Sequence, residues 1–84
     1  MFELRPTRAF AKNRSKLSRK HQEAVDKKLF ILAKDPHYPS LRTKKYKSED
    51  GVWESSVNMS IRILWRYEGD KIILLNNVGH HDIL

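Results

Sequence analysis

The 84-residue sequence contains no cysteine, only three glycines and only three prolines. Without cysteine, neither a disulfide framework nor a thiolate zinc site can stabilise a small fold, and ordinary packing must do so. So few glycines and prolines argue against a linker, a collagen-like repeat or a low-complexity chain. Acidic residues are also in short supply: 10 Asp and Glu stand against 17 Lys and Arg, a formal net charge of +7. No apolar run approaches the ~20 residues that span a bilayer, and nothing after Met1 reads as a signal peptide. A membrane location is not expected. The lack of cysteine fits a reducing cytosol, so the expected location is cytoplasmic.

What is present suits one small domain over residues 1–84. An apolar content of 39%, with 10% aromatic residues, is enough for a single modest core in a chain of this length. The charge is unevenly placed. Residues 1–47 hold 14 Lys and Arg against 4 Asp and Glu, and residues 48–84 hold 3 against 6, so the halves carry +10 and −3. A concentrated basic half is the electrostatic footprint of a protein that meets phosphates, and it also suits an acidic protein partner.

The pattern of elements predicts an α+β fold. Phe2–Arg5 alternates apolar and polar residues as a short strand does, and Pro6 ends it. Thr7 is a good N-cap for a first helix with Phe10, Asn13 and Leu17 at helical spacing. Ser18 can cap a second helix through Lys34, with Val25, Leu29, Leu32 and Ala33 as its apolar stripe. Asp35-Pro36 and Tyr38-Pro39 stop that helix, because a residue before proline is pushed out of the helical region. Three further strands are expected at Val52–Asn58, Ile61–Tyr67 and Lys71–Val78, separated by short turns that make consecutive strands antiparallel neighbours. The expected architecture is two N-terminal helices packed on one face of a four-stranded, mainly antiparallel sheet, with the other face open to a ligand.

Several residues can carry chemistry. Alternation along Ile61–Tyr67 puts Ile61, Ile63, Trp65 and Tyr67 on one side and Arg62, Leu64 and Arg66 on the other. The two arginines form a cationic strip whose planar forks suit phosphate, or else a solvated sheet face. The run Arg42-Thr43-Lys44-Lys45-Tyr46-Lys47 interleaves four cations with an aromatic and no acid, the composition of a surface that holds phosphates and stacks a base, or else of a solvated loop. Of the four histidines, His21 and His37 read as ordinary surface residues. His80 and His81 are either proton carriers or part of a frayed tail. Cleavage of RNA through its 2′-hydroxyl needs a base, an acid and cations around the phosphorane, and requires no metal. His81 or His80 with Arg62 and nearby lysines meets that need, and Asp82 can orient an imidazole. Adjacent histidines on a strand point to opposite faces, so His80 and His81 do not chelate together and no metal site or other cofactor is expected.

The order Asp35-Pro36, Pro39-Ser40-Leu41-Arg42, Trp53-Glu54, Val57-Asn58, Ile61-Arg62 and Val78-Gly79-His80-His81-Asp82 resembles the RelE/ParE superfamily of toxin–antitoxin toxins over nearly the whole chain. The ending is most similar to the YafQ and RelE branches, which cleave mRNA, rather than to the ParE branch, which poisons gyrase. The resemblance implies a ribosome-dependent mRNA endonuclease silenced by an acidic antitoxin. It implies His81 as proton carrier, Arg62 at the scissile phosphate, His80 as a secondary candidate, and Lys44, Lys45, Lys47 and Arg42 on RNA. Asn77 stands where YafQ-like toxins have an arginine, and Arg66 is the candidate to replace it. A gyrase-directed toxin and a non-catalytic module that grips an antitoxin or RNA are the alternatives.

Overall fold

In the computed structural model, which describes residues 1–82 and 84, the order of elements is β1 (Glu3–Pro6), α1 (Arg8–Ser15), α2 (Arg19–Lys34), β2 (Lys44–Lys45), β3 (Trp53–Ser56), β4 (Ile61–Glu68) and β5 (Ile72–His80). Both helices begin where capping chemistry predicts. The Phe10 N–H donates to the Thr7 hydroxyl oxygen, and the His21 N–H to that of Ser18, each at 3.2 Å. Thr7 also donates its own hydroxyl to the carbonyls of Leu75 and Asn76 at 2.8 and 3.0 Å, which fixes the start of α1 beside β5. The helix α2 ends at Asp35, whose backbone is extended immediately before Pro36. Arg14 grips Asp26 with two nitrogens, at 2.9 and 2.6 Å, and so ties α1 to α2.

Among the described residues, five strands form the sheet, in the order β1-β5-β4-β3-β2. This corrects the expected four. The additional strand, β2, is two lysines long and pairs antiparallel with Trp53 and Glu54. Two residues without apolar alternation carry no strand signal in sequence, and only their partner β3 makes them one. The sheet is also mixed: β1 runs parallel to β5, while the other pairings are antiparallel. Leu64 pairs with Asn77 and Trp65 with Leu75, so Asn76 is the extra residue of a bulge in β5.

The core lies on one face of this sheet. Ile61, Ile63 and Trp65 of β4 and Ile73, Leu75 and Val78 of β5 meet Phe10, Val25, Leu32 and Leu41 there. Of the apolar stripe predicted on α2, Val25, Leu32 and Ala33 are buried and Leu29 packs at the margin. A polar chain runs through this core: the fully buried Ser55 hydroxyl accepts from the Trp65 indole at 2.8 Å and shares a hydrogen bond of 2.7 Å with Thr43. Thr43 donates in turn to the Pro36 carbonyl at 2.6 Å. Among the described residues, no helix is long and apolar enough to cross a membrane.

Candidate functional site

The second face of the sheet bears Glu54 and Ser56 from β3 and Arg62 and Arg66 from β4, by the registers Glu54↔Leu64 and Ser56↔Arg62. Arg62 is held rather than free. Its Nη1 donates to the Asn58 carbonyl at 2.6 Å and to the Ile61 carbonyl at 3.2 Å, and its Nε lies 3.5 Å from a Glu54 carboxylate oxygen. About a fifth of each side chain of this pair is exposed. Nη2 makes no hydrogen bond among the described residues, so one edge of the guanidinium remains available to an anion.

Arg62 shares a cleft of about 240 Å³ with Arg42, Ser40, Ser56, Asn58 and Met59. That is smaller than the roughly 300–1,000 Å³ of pockets that engulf a drug-sized molecule. It suits a phosphodiester group held between two guanidiniums. Arg42 occupies left-handed backbone space at φ 48° and ψ 44°, and no other described non-glycine residue has a positive φ. A side chain in that region costs roughly 1–2 kcal/mol. The next residue is Thr43, whose bonds to Ser55 and Pro36 hold the segment in place. The strained backbone of Arg42 thus lies beside the cleft that it lines with Arg62.

The remaining cations separate. Lys44 is exposed opposite Glu54 and lies on the Arg62 face, whereas Lys45 pairs with Trp53 and faces the other way. Lys47 is exposed in the turn that follows β2. Arg66 shares the face of Arg62 but is drawn to Glu49 at 2.9 Å and does not line the cleft. Asn77, at the position where an arginine was sought, accepts a hydrogen bond from the Asn13 amide at 2.6 Å and so belongs to the α1–β5 contact.

The two terminal histidines are placed differently: His80 is the last residue of β5 and His81 lies in the turn after it. His80 pairs with Ile61 on the core side, where its ring stands edge-on to His21 of α2 with centroids 5.8 Å apart. His81 donates its backbone N–H to the Ser60 carbonyl at 2.8 Å, one rung further along the ladder. Its side chain is exposed in that turn. Asp82 is exposed and makes no hydrogen bond to either imidazole among the described residues. Arg62 and Arg42 thus line one cleft and Lys44 lies on the same sheet face, whereas His80 is on the core side.

Sequence reasoning passed over three side-chain contacts. Glu54 orients Arg62, but a lone acid on a strand gives no such signal. His21 reads as a helix-surface residue until β5 brings His80 against it. His37, expected to be an ordinary loop residue, stays exposed yet packs edge-on to Trp53 with ring centroids 5.1 Å apart, and its Nε2 lies 3.2 Å from the Tyr67 hydroxyl. Burial, and secondarily the charge of Asp35, raise the Tyr67 phenol above its ordinary value.

No family model matches this chain, and no curated protein matches it by sequence. Solved structures do match. YafQ from E. coli strain BL21(DE3) has a TM-score of 0.79 at 12% identity, over 99% of this chain and 97% of that one. The toxin–antitoxin complex RelBE2 from Mycobacterium tuberculosis gives 0.78 at 23% identity, over 95% and 98%. A YoeB/ParE toxin from Agrobacterium tumefaciens gives 0.80 at 13% identity, over 95% and 99%. The fold of this chain is thus the one shared by toxins of the RelE, YafQ, YoeB and ParE types.

Proposed function

We propose that residues 1–84 form the toxin of a toxin–antitoxin pair and that this toxin cleaves mRNA on the ribosome in the cytoplasm, without a catalytic metal or other cofactor. The observation that carries this reading is the cleft shared by Arg62 and Arg42, with the exposed His81 tied through its backbone to Ser60 at the end of the turn before β4. A phosphodiester in that cleft meets two guanidiniums. His81 takes the 2′-hydroxyl proton; the 2′-oxygen attacks phosphorus; the bond to the 5′-oxygen breaks, and that oxygen receives a proton. A 2′,3′-cyclic phosphate and a 5′-hydroxyl result. Arg62 and Arg42 stabilise the charge that builds on the phosphorane, which is where preorganised donors act most strongly. Lys44 and Lys47 steer the RNA towards this face, and Lys45 holds it from the other side of β2.

An acidic antitoxin fits the same reading, because its charge complements the basic half and its binding can cover the arginine cleft. Solved relatives include complexes with antitoxins, such as the DinJ–YafQ and RelBE complexes of E. coli. The test is to map mRNA 5′ ends in cells expressing the chain beside its His81→Ala and Arg62→Ala variants. Cuts at fixed positions within translated codons, reduced by roughly 10²–10⁴ in either variant, are expected for a lost proton carrier or phosphate ligand. Intact messages with growth arrest and a DNA-damage response would favour the gyrase-directed alternative. Intact messages without arrest would favour a binding module.

A further inference from the structure

The pairing of His21 with His80 is not used by the cleavage site, and it lies on the opposite side of the sheet from Arg62. It lines a cleft of about 370 Å³ at the start of α2, together with Asn13, Lys16, Ser18 and Asn77. The two rings stand at 75° with centroids 5.8 Å apart. Neither imidazole makes a hydrogen bond through a ring nitrogen among the described residues; His21 is bonded to Ser18 through its backbone N–H alone. Two imidazoles with uncommitted nitrogens, brought together by a helix and a strand far apart in sequence, are an unusual surface feature. Imidazole is the commonest protein ligand for transition metals.

We propose that His21 and His80 form a two-histidine site for a divalent transition-metal ion of the zinc, nickel or copper class, which pins the start of α2 to the end of β5. Geometry supports it. Each metal–nitrogen bond is about 2.0–2.1 Å, which puts two ligating rings roughly 4.5–6.4 Å apart between centres as the angle at the metal opens from square to linear. The observed 5.8 Å lies inside that range, so a small rotation of the half-buried His21 ring and the exposed His80 ring completes the site. The donor set selects the ion: two nitrogens and no carboxylate favour metals that prefer imidazole over magnesium and calcium, which seek oxygen. Among the described residues, no group of three or more His, Cys, Asp or Glu side chains converges here. The remaining positions are filled by water. Lys16 in the cleft wall opposes a cation, so binding is moderate, in the micromolar range by order of magnitude.

The experiment is calorimetric titration of the untagged full chain with Zn²⁺ and with Ni²⁺, in the presence of excess Mg²⁺. His21→Ala, His80→Ala and the remote His37→Ala are compared, with circular dichroism confirming that each is folded. One equivalent should bind to the parent chain and to His37→Ala, and either His21→Ala or His80→Ala should weaken binding at least tenfold. Lys16→Gln should tighten it. A parent chain that binds neither ion, or binding that survives both histidine substitutions, overturns the proposal. None of these readouts depends on RNA cleavage, so the metal site and the proposed function fail or stand separately.

Discussion

Replacing Ser55 with alanine removes one oxygen from the centre of the core, and the loss follows from its two hydrogen bonds. Ser55 is fully buried, accepts from the Trp65 indole at 2.8 Å and bonds Thr43 at 2.7 Å. Trp65 is also fully buried, so in Ser55→Ala its N–H has no water to turn to. An orphaned buried donor costs about 1–3 kcal/mol, and the lost Thr43 bond adds about 1. Thr43 itself keeps the Pro36 carbonyl. The total is about 3 kcal/mol, which in a domain of this size lowers the melting midpoint by roughly 12–24 °C. Thermal unfolding followed by near-ultraviolet circular dichroism reads this directly, because Trp53 and Trp65 stack in the same region. A double-mutant cycle sharpens it: Trp65→Phe removes the donor, so it should cost about 1–3 kcal/mol less in the Ser55→Ala background than in the parent chain. A midpoint shift under about 4 °C, or additivity within about 0.5 kcal/mol, would refute the account of this network.

Two further outcomes test the strained arginine and the partly shielded Tyr67 phenol. Arg42→Gly relieves the left-handed backbone at φ 48° and, after glycine's greater entropy loss, should stabilise the fold by about 0.5–1 kcal/mol, a rise of roughly 3–6 °C. The same variant should bind and cut RNA less well, so a protein that gains stability and keeps full cleavage would remove Arg42 from the site. The Tyr67 phenol holds its proton more tightly in the folded chain, chiefly through burial and then through Asp35. Its contribution is therefore complete below the unfolded value of about 10 and declines as pH rises through that value. Urea unfolding at pH 8 and at pH 10.5 should show a fall in stability that is smaller in Tyr67→Phe; an equal fall in both chains would place the alkaline loss elsewhere.

Local rules decided much of this protein before any tertiary contact is considered. Thr7 and Ser18 cap helices because their hydroxyls suit unpaired N–H groups. Asp35-Pro36 stops α2 because proline excludes a helical predecessor, and the alternation in Ile61–Tyr67 separates a core side from an arginine side. Long-range pairing decided the rest. Lys44-Lys45 becomes a strand only against β3, and β1 lies parallel to β5 because the helices carry the chain away before it returns. Glu54 meets Arg62 by a register that no local pattern specifies. The cleft of Arg42 and Arg62, and the approach of His21 to His80, join residues 20 and 59 positions apart in the chain. Spacing within one element reports which face a side chain takes, because the helix and strand repeats are fixed by backbone geometry. Which faces then meet depends on how the whole core packs, and that information exists only in three dimensions.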